Sequence, residues 1–93
     1  MVLKKILYYL DCYYRMTDYD ETLSKIVSDF ITDETNDSVQ ELVKQCKAIL
    51  TLPEEERITV MQHIIKKASD LDIGVNELES ILEETIDLIC THL

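Results

Sequence analysis

One glycine, one proline and no tryptophan occur in these 93 residues. Antiparallel sheets need turn-forming residues at every reversal, so this scarcity argues against a β fold. A single glycine also leaves no material for a glycine-rich phosphate loop. Basic side chains are few: nine Lys and Arg stand against nineteen Asp and Glu, a formal net charge of −10. Phosphate backbones are bound by neutralising them with Lys and Arg, so a direct nucleic-acid partner is not expected. An anionic membrane surface is disfavoured for the same reason. No apolar run is long enough to span a bilayer. The opening Met1–Leu10 holds Lys4 and Lys5, but its apolar character stops at Asp11 without a small-residue cleavage site, so no signal peptide is expected. Three widely spaced cysteines, Cys12, Cys46 and Cys90, make a poor disulfide framework. Each falls in a helical pattern and is expected to be a small buried apolar residue. A cytoplasmic, reducing location fits.

What is present is helical periodicity. An apolar fraction of 46% is ordinary for a folded chain, and the length suits one domain over residues 1–93. Leu3, Ile6, Leu7, Leu10 and Tyr14 predict a helix over residues 2–16, with Tyr9 and Tyr13 flanking the stripe and Tyr8 facing away. Leu23, Ile26, Val27, Phe30 and Ile31 predict a second helix, starting near Asp18 with Asp18 and Glu21 as a capping box. Residues 33–37 read as a polar loop. Ser38 and Glu41 then cap a third helix carrying Val39, Leu42, Val43, Cys46, Ile49 and Leu50. Thr51, Pro53 and Glu54 open a fourth, whose face is Ile58, Met61, Ile64, Ile65, Ala68 and Leu71. Gly74 supplies a turn, and Asn76 caps a fifth helix with Leu78, Ile81, Leu82, Thr85, Ile86 and Ile89. The expected fold is therefore all-α: a compact, bundle-like domain of about five short helices.

Charge is distributed in blocks. Residues 1–17 carry +2, 18–56 carry −8, 57–67 carry +3 and 68–93 carry −7. Arg57, Lys66 and Lys67 form a basic island able to pair within the chain. Between Asp18 and Asp37 lie seven carboxylates (Asp18, Asp20, Glu21, Asp29, Asp33, Glu34, Asp37) and one lysine, Lys25. The helix before them holds Tyr8, Tyr9, Tyr13 and Tyr14, and Tyr19 falls inside the acidic stretch. A helix macrodipole accounts for acid at a helix start, hence for Asp18, Asp20 and Glu21. It does not account for Asp29, Asp33 and Glu34 near a C-terminus, where cations are preferred. Acid beside tyrosine suits the covering of a basic protein surface: charge steers the encounter and rings give rigid contact area. Tyr8, Asp18, Tyr19, Asp20, Asp29, Asp33, Glu34 and Asp37 are the candidate partner-binding residues.

Catalytic and metal chemistry finds little support. His63 and His92 have no Cys-x-x-Cys partner for zinc. Asp18-x-Asp20-x-Thr22 begins like a calcium loop and Asp29 falls at its twelfth place. Leu23, however, occupies the position that needs glycine, and Ile26 and Val27 continue a helix face. No nucleophile, base and orienter can be grouped. An enzyme is not expected, nor a metal or any other cofactor.

The aromatic pair Tyr13-Tyr14, the turn Thr17-Asp18-Tyr19-Asp20, the short helix Glu21 to Ile31, the segment Ser38 to Leu50 and the charged step Pro53-Glu54-Glu55-Glu56-Arg57 form one pattern. Over residues 6–64 it resembles the small helical immunity proteins of bacterial contact-dependent growth inhibition systems. The resemblance implies a cytoplasmic protein, encoded with its toxin, that binds the toxin's C-terminal domain specifically. The charge pattern adds the expectation that this domain is basic, a nuclease whose phosphate-attracting surface is occluded by carboxylates with tyrosines as anchors. The acidic turn here lacks the tryptophan associated with that family. Two other expectations stand beside it. An acidic helical adaptor would leave apolar residues over after the core is built, with Val2, Val60, Ile73 and Leu88 lying off their stripes. A phage-type inhibitor mimicking nucleic acid would share the electrostatics with a different target.

Overall fold

Why the helices form where they do is largely a matter of which side chains cap them. The computed structural model describes residues 3–14, 22–68 and 73–92. These form α1 (Lys4–Tyr9), a π-helical turn (Leu10–Tyr14), α2 (Leu23–Asp33), α3 (Asn36–Leu50), α4 (Glu54–Lys67) and α5 (Val75–His92). No strand occurs among the described residues, and the chain is a small all-α, bundle-like domain.

Helix starts differ from the sequence expectation at four places. α2 begins at Leu23, because Thr22 is extended (φ −83°, ψ 158°) and its hydroxyl accepts the Lys25 N–H at 3.3 Å. The Asp18–Glu21 pair lies outside the described residues. α3 begins at Asn36, two residues before the expected cap, because Thr35 is extended and accepts the Ser38 N–H at 3.2 Å. Glu41 is thereby released from capping and accepts from the Gln45 side-chain amide at 3.0 Å. Thr51 closes α3 instead of opening α4: its hydroxyl donates to the Lys47 and Ala48 carbonyls. α4 starts after Pro53 with no side-chain cap, and Glu54, Glu55 and Glu56 meet its positive end while Lys66 and Lys67 meet its negative end. Gly74, not Asn76, precedes α5, its carbonyl accepting the Leu78 N–H at 3.0 Å. Gly74 has no positive φ, and a Cβ there would meet nothing within 4 Å.

The apolar faces converge on one core. α5 packs against α2, α3 and α4, while α1 lies on α3 and the π-helical turn on α2. Leu78, Leu82, Thr85 and Ile89 of α5 are buried, as are Ile26, Val27 and Phe30 of α2 and Val39, Leu42, Cys46 and Ile49 of α3. Met61, Ile64 and Ala68 carry the α4 face; Leu71 lies outside the described residues. One stripe assignment fails, and one flanking residue goes deeper than expected. Ile58 is 37% exposed, while its neighbour Arg57 ties the start of α4 to α5, its Nε 3.2 Å from Glu79. That pair fulfils for Arg57 the expected pairing of the basic island. On α1 it is Tyr9, not Tyr14, that is fully buried. Tyr14 is half-buried and packs against that core from the π-helical turn.

The cysteines divide. Cys46 is buried as expected, but Cys12 and Cys90 are exposed. Cys12 sits in the π-helical turn, and Cys90 follows the buried Ile89 onto the solvent side of α5. Burial pushes the Cys46 thiol from 9.0 up to about 12. The folded state thus holds this proton longer than the unfolded chain. The stabilisation is fully present below pH 9 and is lost as pH climbs from 9 toward 12. By pH 9.5 the loss should reach about 1 kcal/mol, and urea unfolding of Cys46→Ala should show no decline before the tyrosine range near pH 10.

Candidate partner-binding site

The site is assembled around a carboxylate at the corner between α2 and α3. Glu34 caps the C-terminus of α2 and its backbone N–H donates to the Phe30 carbonyl at 3.0 Å. Its side chain reaches back to α1: the Tyr13 hydroxyl donates to Glu34 Oε2 at 2.6 Å and the Tyr8 hydroxyl donates to the same oxygen at 3.0 Å. The Tyr13 ring stands edge-on to Phe30 at 5.0 Å and to Tyr8 at 6.0 Å, and Tyr9 meets Phe30 edge-on at 5.3 Å. These edge-to-face contacts add to area burial. Four rings and one carboxylate thus lock the first helical segment to α2.

The electrostatics follow from the contacts. The hydrogen bond to Glu34 raises the Tyr8 hydroxyl above its ordinary range, since a phenol donating to a carboxylate resists losing its proton. Tyr13 is raised by burial first and by Glu34 second. Burial raises Tyr9, whose hydroxyl lies 3.2 Å from the Thr85 hydroxyl inside the core. Tyr14 is half-buried and raised by burial, then by the Glu77 carboxylate.

Of the candidate residues, the fold brings Tyr8 and Glu34 into contact across 26 positions of sequence. Tyr8 keeps 38% of its surface exposed. Asp33 and Asp37 flank Glu34 along the chain and are exposed, on the last residue of α2 and in the first turn of α3. Asp29 is exposed one turn earlier on α2, 4.0 Å from the Lys25 ammonium. Both partners of that pair are solvated, so it contributes little. Asp18, Tyr19 and Asp20 lie outside the described residues, in the segment that connects the π-helical turn to α2 along the chain.

Two participants were not anticipated. Tyr13 is the stronger donor to Glu34, by distance, than Tyr8. Gln45, 6% exposed, accepts the backbone N–H groups of Lys5 at 2.9 Å and Ile6 at 3.2 Å. The start of α1 has no side-chain cap of its own, so α3 supplies one from 40 residues away. The signal was available: Gln45 falls on the stripe of Leu42, Cys46 and Ile49, where an amide must find a buried partner.

Comparison with known proteins gives no match to a family model, a curated protein or a solved structure. Among the described residues no three metal-capable side chains gather, and no helix is long and apolar enough to cross a membrane. Val60, Ile73 and Leu88, the off-stripe residues, are half-buried against the core; Val2 lies outside the described residues. Tyr8 and Ile58 are the exposed large apolar side chains among the described residues.

Proposed function

We propose that this chain is an immunity-type inhibitor that binds the basic C-terminal domain of a cognate bacterial toxin, a nuclease, in the cytoplasm and occludes its phosphate-attracting surface. The observation that carries the reading is the split fate of the acids at the α2–α3 corner. Glu34 is turned inward and holds two tyrosines, whereas Asp33 and Asp37 on either side of it stay in water. Asp29 and Asp33 also occupy the helix end where the macrodipole disfavours acid. Acid kept outside, at a local cost, beside a ring held in place by its own hydroxyl, is an anchor with a steering field around it. A ring already immobilised loses little entropy on binding. Carboxylates presented where phosphates would go block the nuclease without chemistry.

The adaptor alternative expects a leftover apolar face, and the off-stripe residues Val60, Ile73 and Leu88 are half-buried against the core instead of standing free of it. Nothing in the geometry favours the nucleic-acid mimic over the immunity reading, which differs from it in target alone.

The test is binding to the basic toxin domain encoded beside this chain, followed with rising salt and in the double variant Asp33→Lys plus Asp37→Lys. The two reversals are matched for folding. A cation at the end of α2 gains, and one in the first turn of α3 loses, about 0.3–1 kcal/mol each. Unfolding should therefore change little, while the association rate should fall by about tenfold or more. Unaltered association with an unaltered salt slope removes this corner from the site.

A further inference from the structure

A cleft of about 390 Å³ opens beside the aromatic lock, lined by Lys4, Lys5, Tyr8, Glu34, Glu41 and Gln45. Its polar groups divide into fixed and movable sets. Gln45 forms a buried floor with both ends of its amide engaged, by the α1 N–H groups and by Glu41. Glu34 is pinned through Oε2 by two phenols, and Glu41 through Oε1 by Gln45. Each carboxylate keeps its other oxygen without a partner among the described residues. The lysines, by contrast, are loosely held. Lys5 Nζ lies 5.3 Å from the centre of the Tyr8 ring and 3.3 Å from the Ser38 hydroxyl, with no carboxylate at ion-pair distance among the described residues. Lys4 is exposed.

We propose that this cleft receives one arginine side chain of the basic partner, whose guanidinium takes the place of the Lys5 ammonium on the Tyr8 ring and forks onto the open oxygens of Glu34 and Glu41. The inference rests on the reading of the chain as an inhibitor of a basic protein, and names the contact that reading requires at Tyr8. Lys5 shows that the ring face accepts a cation, and its ammonium, bonded to the Ser38 hydroxyl, forms an ion pair with neither carboxylate. A guanidinium is planar, stacks on a phenol and carries five donors in a fixed fork, and charge-assisted bonds to carboxylates are the strong kind. The negative groups are immobilised and the positive ones are on flexible stems, so an arriving cation displaces Lys5 at small cost. An arriving anion would have to settle against two carboxylates that cannot withdraw.

The experiment is an amide-resolved NMR titration of the full chain with three capped tripeptides, Gly-Arg-Gly, Gly-Lys-Gly and Gly-Glu-Gly. The arginine peptide should shift the amides of Lys5, Tyr8, Glu41 and Gln45 together, with the lysine peptide about two- to fivefold weaker and the glutamate peptide without effect. Lys5→Gln removes the competing cation and should tighten arginine binding. Tyr8→Leu and Glu41→Gln should each weaken it by about two- to fivefold, and Glu41→Gln keeps an acceptor for Gln45. Shifts spread evenly over all exposed acids, equal response to arginine and lysine, weaker binding in Lys5→Gln, or response to the glutamate peptide would each overturn the proposal. Against the toxin domain itself, full binding by Tyr8→Leu and Glu41→Gln with loss in Asp33→Lys plus Asp37→Lys would refute the cleft and leave the inhibitor reading standing. The opposite pattern would remove the α2–α3 corner and keep the cleft.

Discussion

Phe30→Ala should cost about 3–5 kcal/mol of stability, the largest effect of any single change considered for this chain. Phe30 is fully buried and is the ring on which Tyr9 and Tyr13 both stand edge-on, at 5.3 and 5.0 Å. Truncation removes the transfer free energy of the ring, leaves a cavity between α2 and the first helical segment, and deprives two tyrosines of their partner. A 93-residue domain holds roughly 5–14 kcal/mol in total, so the variant should melt at least about 12 °C lower or be partly unfolded at 25 °C. Phe30→Leu keeps most of the volume and should lose far less, about 1–2 kcal/mol. Urea unfolding of both variants measures the difference; equal losses would mean that the edge-on contacts, and not the filled volume, set the cost. Because Glu34 caps the same helix four residues on and donates its backbone N–H to the Phe30 carbonyl, the truncation should also weaken partner binding at Tyr8. Phe30→Leu should bind normally.

Gln45→Leu should cost about 2–4 kcal/mol although leucine is apolar and similar in size. A leucine fits the stripe of α3 better than an amide by every hydrophobic measure. What it cannot do is accept the N–H groups of Lys5 and Ile6, now 2.9 and 3.2 Å from Oε1. The start of α1 has no cap of its own, so both donors would be left buried or half-buried without a partner, each at about 1–3 kcal/mol. Glu41 would lose the donor that fixes it. Loss should be concentrated in α1: hydrogen exchange at Lys5 and Ile6 should accelerate more than at Leu82 or Ile89 in α5. Uniform acceleration across the chain would show that Gln45 supports the core as a whole and is not a remote cap. Gln45→Glu separates geometry from charge. Its carboxylate still accepts both N–H groups but stands against Glu41, so its deficit should shrink as pH falls through the carboxylate range.

The acidic corner was partly legible in the sequence. Acid at the C-terminal end of α2 sets Asp29, Asp33 and Glu34 apart from what the macrodipole favours, but one reason does not serve all three. Glu34 is occupied by an intramolecular contact with Tyr8 and Tyr13, formed across 26 and 21 residues. Periodicity sees neighbours within a few turns of one helix; it has no access to which loop residue meets which distant ring. No core stripe needs Tyr8, and its partial exposure agrees with that. Tyr13 flanks the stripe and is half-buried against the core as its spacing predicts, while its hydrogen bond to Glu34 depends on the fold.

Local patterning alone determined the helical class, the short connections and most of the buried faces of α2, α3 and α5. Those properties depend on spacing along one helix and on the near absence of glycine and proline. The true caps at Thr22, Thr35 and Gly74 were decided in three dimensions, because several neighbouring side chains could serve and packing chooses where each helix must begin. So were the burial of Tyr9, the exposure of Ile58, Cys12 and Cys90, and the capping of α1 by Gln45. The caps are local bonds selected among neighbours, but the burial of Tyr9, the exposures and the Gln45 cap are relations between elements far apart in the chain. Such relations are set by which surfaces the assembled helices leave uncovered, a quantity that no window of sequence contains.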